Sequence, residues 1–416
     1  MNRRADTPAP KAAAFTGYQK FVVGVLAFLQ FTIILDFMII SPLGAIVMPA
    51  LEITPQQFGL VVSSYAFSAG ASGVLAAGFA DRYDRKKILL FFYVGFILGT
   101  ALCGLAQDFH VLLFARIVTG IFGGVIGSVV LAITTDLFAL EQRGRVMGVV
   151  QTAFAASQIL GLPAGLYLST WWDWHAPFML IVVIGAVVGV VIARYMRPVN
   201  MHIGLKQERS PFGHLRATVT DPRHLLAFCT TALLATGGYM LMPFGSAFTV
   251  NNLKIGMEHL PTIYLVTSIF TIFIGPVVGR ASDRFGKFVL FTFGTMISIA
   301  MVLFYTHLGP TPLAEVIVIN VLLFVGIFSR MIPAQALMTA IPEVTKRGAF
   351  NAISASLQQV SGGVAAVVAG SLVVQSASGE LEHFPRLGYV VVASSLISLF
   401  LMYRIHRAIP ERPVKL

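Results

Sequence analysis

Gly78-Phe79-Ala80-Asp81-Arg82-Tyr83-Asp84-Arg85-Lys86 returns later in the chain as Gly279-Arg280-Ala281-Ser282-Asp283-Arg284-Phe285-Gly286-Lys287, with the two Asp-Arg pairs 202 residues apart. Each copy follows a long apolar run. A second match joins Gln142-Arg143-Gly144-Arg145 to Lys346-Arg347-Gly348-Ala349, with the Arg-Gly steps 204 residues apart. Two matches at nearly one offset, each after the corresponding apolar run, mean that the chain is built from two similar halves in parallel orientation. Between them, residues 198–223 are basic, carry Pro198 and Pro211, and hold no apolar run of their own. The expected units are therefore 1–197, a linker at 198–223, and 224–416.

The composition names the solvent. Of 416 residues, 56% are hydrophobic and only 11% charged, against about 45–50% apolar and about 25% charged in soluble domains. A water-soluble globule cannot hide that much apolar surface behind so few charges. About 20 apolar residues cross a hydrocarbon core of about 30 Å. Twelve such runs are read at 21–49, 58–80, 88–106, 110–138, 146–169, 177–196, 225–250, 260–281, 288–306, 312–341, 349–376 and 387–403. Residues 88–106 do not alternate as the strands of a membrane barrel would, so the expected class is an all-α membrane protein of twelve transmembrane helices in two six-helix repeats. The first run is too long for a signal-peptide core and is expected to be retained.

The net charge of +11 is explained by sidedness. With the N-terminus inside, 25 of the 29 Lys and Arg fall in inner segments, as the positive-inside rule requires. No nucleic-acid partner is needed to account for the basicity, and both termini are expected in the cytoplasm, with the chain in the plasma (inner) membrane. Cys103 and Cys229 both lie in apolar runs, which leaves no disulfide framework. The nine His include no pair at ligand spacing on one helix, and no Gly-Lys-Ser/Thr phosphate loop is present. A metal site, an ATP-driven pump and a soluble enzyme domain are therefore not expected, and neither is a cofactor.

Twelve spans in a six-plus-six repeat resemble the major facilitator superfamily. Its signature after span two, Gly-x-Leu-Ala-Asp-Arg-x-Gly-Arg-Lys, is matched at Ala80, Asp81, Arg82, Arg85 and Lys86. The chain departs from it at Ala77, Phe79 and Asp84, while the second copy keeps Gly279 and Gly286. Arg116-Ile117-Val118-Thr119-Gly120 resembles the span-four Arg-x-x-Gln-Gly, with Thr for Gln. Gly161-Leu162-Pro163-Ala164-Gly165 resembles the antiporter motif of span five in its Gly-x-Pro-x-Gly form, seen in drug- and sugar-efflux-like members. The resemblance implies a gate at Asp81, Arg82 and Arg85, with Arg85 pairing Asp136 to hold the halves closed inside, and a second-half counterpart at Asp283 and Arg284. The alternative is a cluster of cations serving topology alone.

Asp36 is the one acid well inside span one, about 24 Å along a helix that begins near Lys20. A charge at that depth costs about 2.5–3.5 kcal/mol unless it faces a cavity or a partner. Such a carboxylate can exchange a proton as its surroundings alternate; the alternative is a static ion pair. Arg116 lies about 10 Å into span four from the outer side. By resemblance spans one, four, seven and ten surround the central cavity, and Arg116 then regulates Asp36 or passes protons; an anchoring role stands equal to it. Arg330, mid-span in span ten, either binds an anionic solute group or pairs with Asp36.

Gly161, Pro163 and Gly165 let span five bend and pack closely, and Gly237-Gly238 with Pro243 suggest a broken span seven. Thr32, Gln151, Gln158, Tyr239, Asn320 and Gln358 are candidate neutral contacts to a solute, with hydrogen bonding between helices as the alternative. The expected function is proton-coupled secondary transport of a small organic molecule, as export by a functional monomer that uses the proton gradient and touches solute, protons and lipid. The alternative is proton-coupled uptake of an organic anion clamped by Arg116 and Arg330.

Overall fold

A computed structural model describes residues 14–76, 83–200, 218–343 and 347–408. Among these, twelve helices or helix pairs are long and apolar enough to cross a membrane. Span one is Gly17–Ile39 continued by Gly44–Ala50, span two Pro55–Ala76, span three Arg85–Cys103 and span four Phe109–Leu137. Span five is Leu140–Ala156, a π-helical turn Ser157–Gly161, and Leu162–Trp171; span six is Ala176–Tyr195. Span seven is Pro222–Leu241 continued by Gly245–Asn251, span eight Leu260–Phe285 and span nine Lys287–Thr306. Span ten is Leu313–Met338, span eleven Arg347–Leu372 and span twelve Phe384–Ala408. Most of the expected linker, and both Asp81 and Arg82, lie outside the described residues.

Local chemistry sets the ends of these spans. Span one starts ahead of its apolar run because Thr16 and Gln19 form a reciprocal capping box, which satisfies two amides the helix leaves free. Asp84 caps span three by accepting from the amides of Lys86 and Lys87, an anion where the helix dipole favours one. This explains its place where the resembling signature has glycine. In the second copy the junction of spans eight and nine turns at Gly286 with φ of 96°, a backbone conformation essentially reserved for glycine. Same signature, different junctions.

Two spans are broken near the same end. Pro42 and Pro243 each lack an amide donor and sit where the first helix segment stops. The expected weakness at Gly237-Gly238 is not where span seven gives way: the helix runs through both glycines to Leu241. Span eleven also stops short of its apolar run, at Leu372. The chain then forms a two-residue antiparallel ladder, Val374–Gln375 with Leu381–Glu382. Asn252, at the end of span seven, brackets this hairpin through both its amide nitrogen and its oxygen on Leu381, and Lys254 pairs with Glu380.

The two halves meet along spans two and eleven, and along spans five and eight. A Cβ on Gly59 would lie 2.7 Å from the Ala366 carbonyl, and one on Gly370 2.7 Å from the Pro55 carbonyl. Only glycine permits backbones this close. Ser268 of span eight donates to the Gln158 carbonyl of span five at 2.9 Å. The broken tips of spans one and seven close the far face, opposite the basic loops: Ser246 Oγ receives the Ala45 amide and donates to the Ser41 carbonyl, both at 3.3 Å. Towards the basic face, Gln151, Asn351 and Gln358 are exposed. Polar side chains inside a span turn to the bundle interior or to water, so Gln151 and Gln358 point to a crevice between the halves on the basic side.

Candidate functional site

Asp36 sits in the last turn of the first segment of span one, 0% exposed. Arg116 of span four, also 0% exposed, donates from Nη1 to Asp36 Oδ2 at 2.9 Å and to the Asp36 main-chain carbonyl at 3.2 Å. That carbonyl is among the last four of its helix, the ones a helix does not fully satisfy. Thr100 of span three places its hydroxyl 3.1 Å from Asp36 Oδ1 and 3.0 Å from the Phe96 carbonyl, so its single proton serves one of them at a time. Below the guanidinium lies the ring of Tyr65 from span two, with its centroid 4.5 Å from Arg116 Cζ. Four spans of the first half thus converge on one carboxylate.

The sequence allows this convergence through missing side chains. A Cβ at Gly123 would meet the Tyr65 hydroxyl at 2.8 Å, and one at Gly99 would meet Thr119 Oγ1 at 2.7 Å. Span four can therefore press on spans two and three at the level of Arg116. Nε and Nη2 of Arg116 are buried without a hydrogen-bond partner among the described residues. The guanidinium is held by one nitrogen and a ring face, a small set of contacts for a fully buried cation. Removing the carboxylate's charge weakens the strongest of them.

Span five docks on the same stretch of span one. Ser157 donates to the Phe31 carbonyl at 3.0 Å, a Cβ on Gly161 would lie 2.6 Å from Leu35 Cδ1, and one on Gly165 would lie 2.7 Å from Ile39 Cδ1. Phe31, Leu35 and Ile39 follow one face at four-residue spacing, so the glycines of the Gly-x-Pro-x-Gly stretch seat span five beside Asp36. The π-helical turn Ser157–Gly161 precedes Pro163, and the wider turn accommodates the donor that proline lacks.

Arg330 stands apart. It does not reach Asp36. It is 7% exposed, and its Nη1 and Nη2 donate to Ser395 at 3.0 Å and Ser398 at 3.4 Å, both on span twelve.

The expected solute contacts separate into those near the crevice and those used elsewhere. Thr32 bonds to the Leu29 carbonyl and lies 3.2 Å from the Tyr93 hydroxyl, so it is inside the first bundle. Asn320 turns back on its own helix, donating to the Val316 carbonyl. Gln151 and Gln358 are exposed and Gln158 is buried at the contact with span eight. Tyr239 donates to Gln359 Oε1 at 3.0 Å. Phe37, next to Asp36, has its ring 5.2 Å from that of Tyr65 and 5.9 Å from that of Tyr239. Those three rings bridge the halves.

At the basic face Arg85 Nε donates to Asp136 Oδ2 at 3.1 Å. The pair joins spans three and four, which belong to the same half, so it does not by itself clasp one half to the other as a gate of the expected kind would. Asp283 pairs with Lys287 one turn on, at 3.5 Å, and Arg284 lies over the ring of Phe285. Both side chains lie on their own exposed junction, with the basic face open. Thr100, Tyr65 and Ser246 are the participants that sequence reasoning missed. Only for Ser246 was there a signal: Pro42-x-Gly44 and Pro243-x-Gly245 repeat at an offset of 201.

Two six-span bundles around a crevice sealed at one face, with an ion pair buried beside it, define a polytopic α-helical membrane protein of the transporter type. Residues 26–366 match the Major Facilitator Superfamily model, and the chain belongs to that family. It is similar to the uncharacterized MFS-type transporter YceJ of Bacillus subtilis, 25% identical over 262 residues, 62% of this chain and 66% of that protein. It is also similar to multidrug resistance protein 3 of the same organism, 34% identical over 141 residues, 34% of this chain and 28% of that protein. These matches thus span less than two thirds of either relative. In fold it superposes on a bacterial homolog of the human lysosomal transporter Spinster in an inward-facing and occupied conformation, at a TM-score of 0.73, 16% identity and coverage of 95% and 98% of the two chains. The nucleoside transporter NupG gives a TM-score of 0.74 at 13% identity, covering 93% and 99%. The family and these structural neighbours are membrane transporters, not enzymes.

Proposed function

We propose that this transporter is a proton-coupled exporter of a small organic molecule, acting as a monomer in the plasma membrane with both termini in the cytoplasm. The observation that carries the reading is the Asp36–Arg116 pair, closed off from water and braced by Thr100 and Tyr65. Protonating Asp36 turns an ion pair into a bond from the guanidinium to an uncharged acid and removes the Coulombic attraction between the two. Arg116 then holds span four to span one less tightly, and the packing of span five on Leu35 and Ile39 shifts with span one. Proton occupancy is in this way linked to which face is open, as alternating access by two rocking bundles requires. Gly161-Leu162-Pro163-Ala164-Gly165 and the partial likeness to a protein named for multidrug resistance support the outward direction.

The test is flux in proteoliposomes under an imposed pH gradient, following solute and protons together. Solute movement that ignores the gradient refutes coupling. A second reading, uptake of an organic anion with protons, is favoured by one observation: Arg330 is buried against two neutral hydroxyls. Everted and right-side-out vesicles distinguish the two, since the gradient drives accumulation in the first for export and in the second for uptake.

A further inference from the structure

The broken tips of spans one and seven fix the register of the internal repeat within the bundle. Pro42 and Gly44 correspond to Pro243 and Gly245, each pair 201 residues apart, and the same step takes Asp36 to Gly237. In the first half the acid on span one receives a guanidinium from span four. In the second half, span ten also supplies a guanidinium. A Cβ built on Gly237 would lie 3.8 Å from Arg330 Nη1 and 3.8 Å from Val391 Cγ1, in ordinary contact with both. The same step takes Arg116 to Ile317, so Arg330 comes to this point from further along span ten, and it meets a hydrogen atom where the first half has a carboxymethyl group.

Arg330 is not otherwise compensated. No Asp or Glu oxygen comes within 4.0 Å of it among the described residues, its hydrogen-bond partners are the uncharged Ser395 and Ser398, and its Nε is buried without a partner among the described residues. A cation at this depth is costly unless paired or facing a water-filled cavity. Gly238 is exposed, and a Cβ there would meet nothing within 4 Å, so the two glycines leave the wall of span seven without side chains just where Arg330 lies behind it. Arg330 is about 12 Å in from the Met338 end of span ten, in the half of the membrane where the crevice is open. Tyr239 and its Gln359 partner border the same wall.

We propose that Arg330, framed by Gly237, Gly238, Ser395 and Ser398, binds the carboxylate of an organic monoanion, the transported solute supplying the acid that Gly237 omits. The planar guanidinium fork matches a carboxylate, the Ser395 hydroxyl adds a neutral donor while that of Ser398 is spent on the Ser395 carbonyl, and one uncompensated cation fits one negative charge. The substrate class rests on the transport reading above; the site does not.

The experiment is calorimetric titration of the full-length protein in lipid nanodiscs, at constant chloride, with acetate, benzoate and dodecanoate, and with benzamide as the uncharged analogue of benzoate. At least one carboxylate is expected to bind, with benzoate at least tenfold tighter than benzamide. Arg330→Gln, which removes a buried charge and leaves a hydrogen-bonding group, lowers carboxylate affinity at least tenfold. So does Gly237→Asp, which keeps Arg330 and supplies the missing acid from within, and this variant also raises the thermal midpoint as the new pair forms. Carboxylate binding weaker than about 10 mM throughout, equal binding of benzoate and benzamide, or affinities unchanged in both variants overturns the proposal. Binding that obeys these rules in a preparation with no pH-driven flux leaves the site standing and removes the transport reading instead.

Discussion

Arg116 reaches Asp36 with a single nitrogen, donating to the carboxylate at 2.9 Å and to the main-chain carbonyl at 3.2 Å, with both side chains 0% exposed. Span four is thus tied to the side chain of span one and to its backbone through one group. A change in the charge of Asp36 weakens one of these bonds and leaves the other, so the link loosens without parting. Asp36→Asn keeps an acceptor in the same place and removes the charge. The expected outcome is a folded protein whose pH-driven flux falls to the leak rate while solute exchange without a gradient persists. Gradient-driven accumulation by that variant removes Asp36 from the coupling.

Removing the cation is the harsher change. Arg116→Met leaves a carboxylate buried with Thr100 as its remaining side-chain hydrogen-bond donor, and breaking a buried pair from one side costs about 3–5 kcal/mol. Adding Asp36→Asn to that variant restores most of the loss, because no charge is then left without a partner. Unfolding midpoints of the two single variants and the double variant measure the coupling directly. Additive losses mean that the pair is not a unit.

Span five depends on glycine at two positions beside Asp36. Gly161→Val and Gly165→Val force branched side chains against Leu35 and Ile39, and overpacking of this kind costs about 1–3 kcal/mol. Transport is expected to fall further than stability, since the seat of span five on span one is what shifts in turnover. Gly148→Ala is the control: a Cβ there meets nothing within 4 Å, so flux stays at the unsubstituted level and the midpoint does not fall, alanine being the better helix former.

The twelve spans were legible because hydrocarbon demands long apolar runs, and the repeat was legible because its basic loops carry the same pairs twice. Asp36 and Arg116 stood out as charges inside such runs, but Thr100 did not: a threonine in an apolar helix ordinarily bonds back to its own turn, as Thr100 also does to Phe96. Only the fold turns it towards Asp36. Asp283 and Arg284 repeat Asp81 and Arg82 in letters, yet the two junctions are built differently, one on the Asp84 cap and the other on the positive φ of Gly286. The ladder at Val374 and Leu381 is too short to leave a periodic trace.

That difference between the junctions is itself testable. Asp84→Ala removes two bonds to the start of span three and is expected to cost about 0.5–2 kcal/mol, whereas Asp84→Gly costs less. Gly286→Ala places a side chain in a conformation that costs about 1–3 kcal/mol for any residue but glycine. Asp84→Gly tolerated no better than Asp84→Ala, or Gly286→Ala at no cost, read from thermal midpoints in detergent, contradicts the two-junction account.

Ser246 joins the tips of the two broken spans across the far face. It takes the Ala45 amide, free at the start of the second segment of span one, and gives to the Ser41 carbonyl, which also accepts from the Gly44 amide. Ser246→Ala loses both bonds at once, about 1–3 kcal/mol against the closed arrangement of the far face, or roughly a five- to hundredfold change in the ratio of closed to open forms. Because the bonds form only when the far face is shut, the variant is expected to favour the form open on that side and to leave helix content unchanged. A cysteine introduced by Ala45→Cys, 2% exposed as alanine, in a chain with Cys103 and Cys229 replaced by serine, reads the shift. Its labelling by an impermeant maleimide added from the far face should quicken when Ser246→Ala is added, and an unchanged rate assigns the closure to the contacts of spans two and eleven instead.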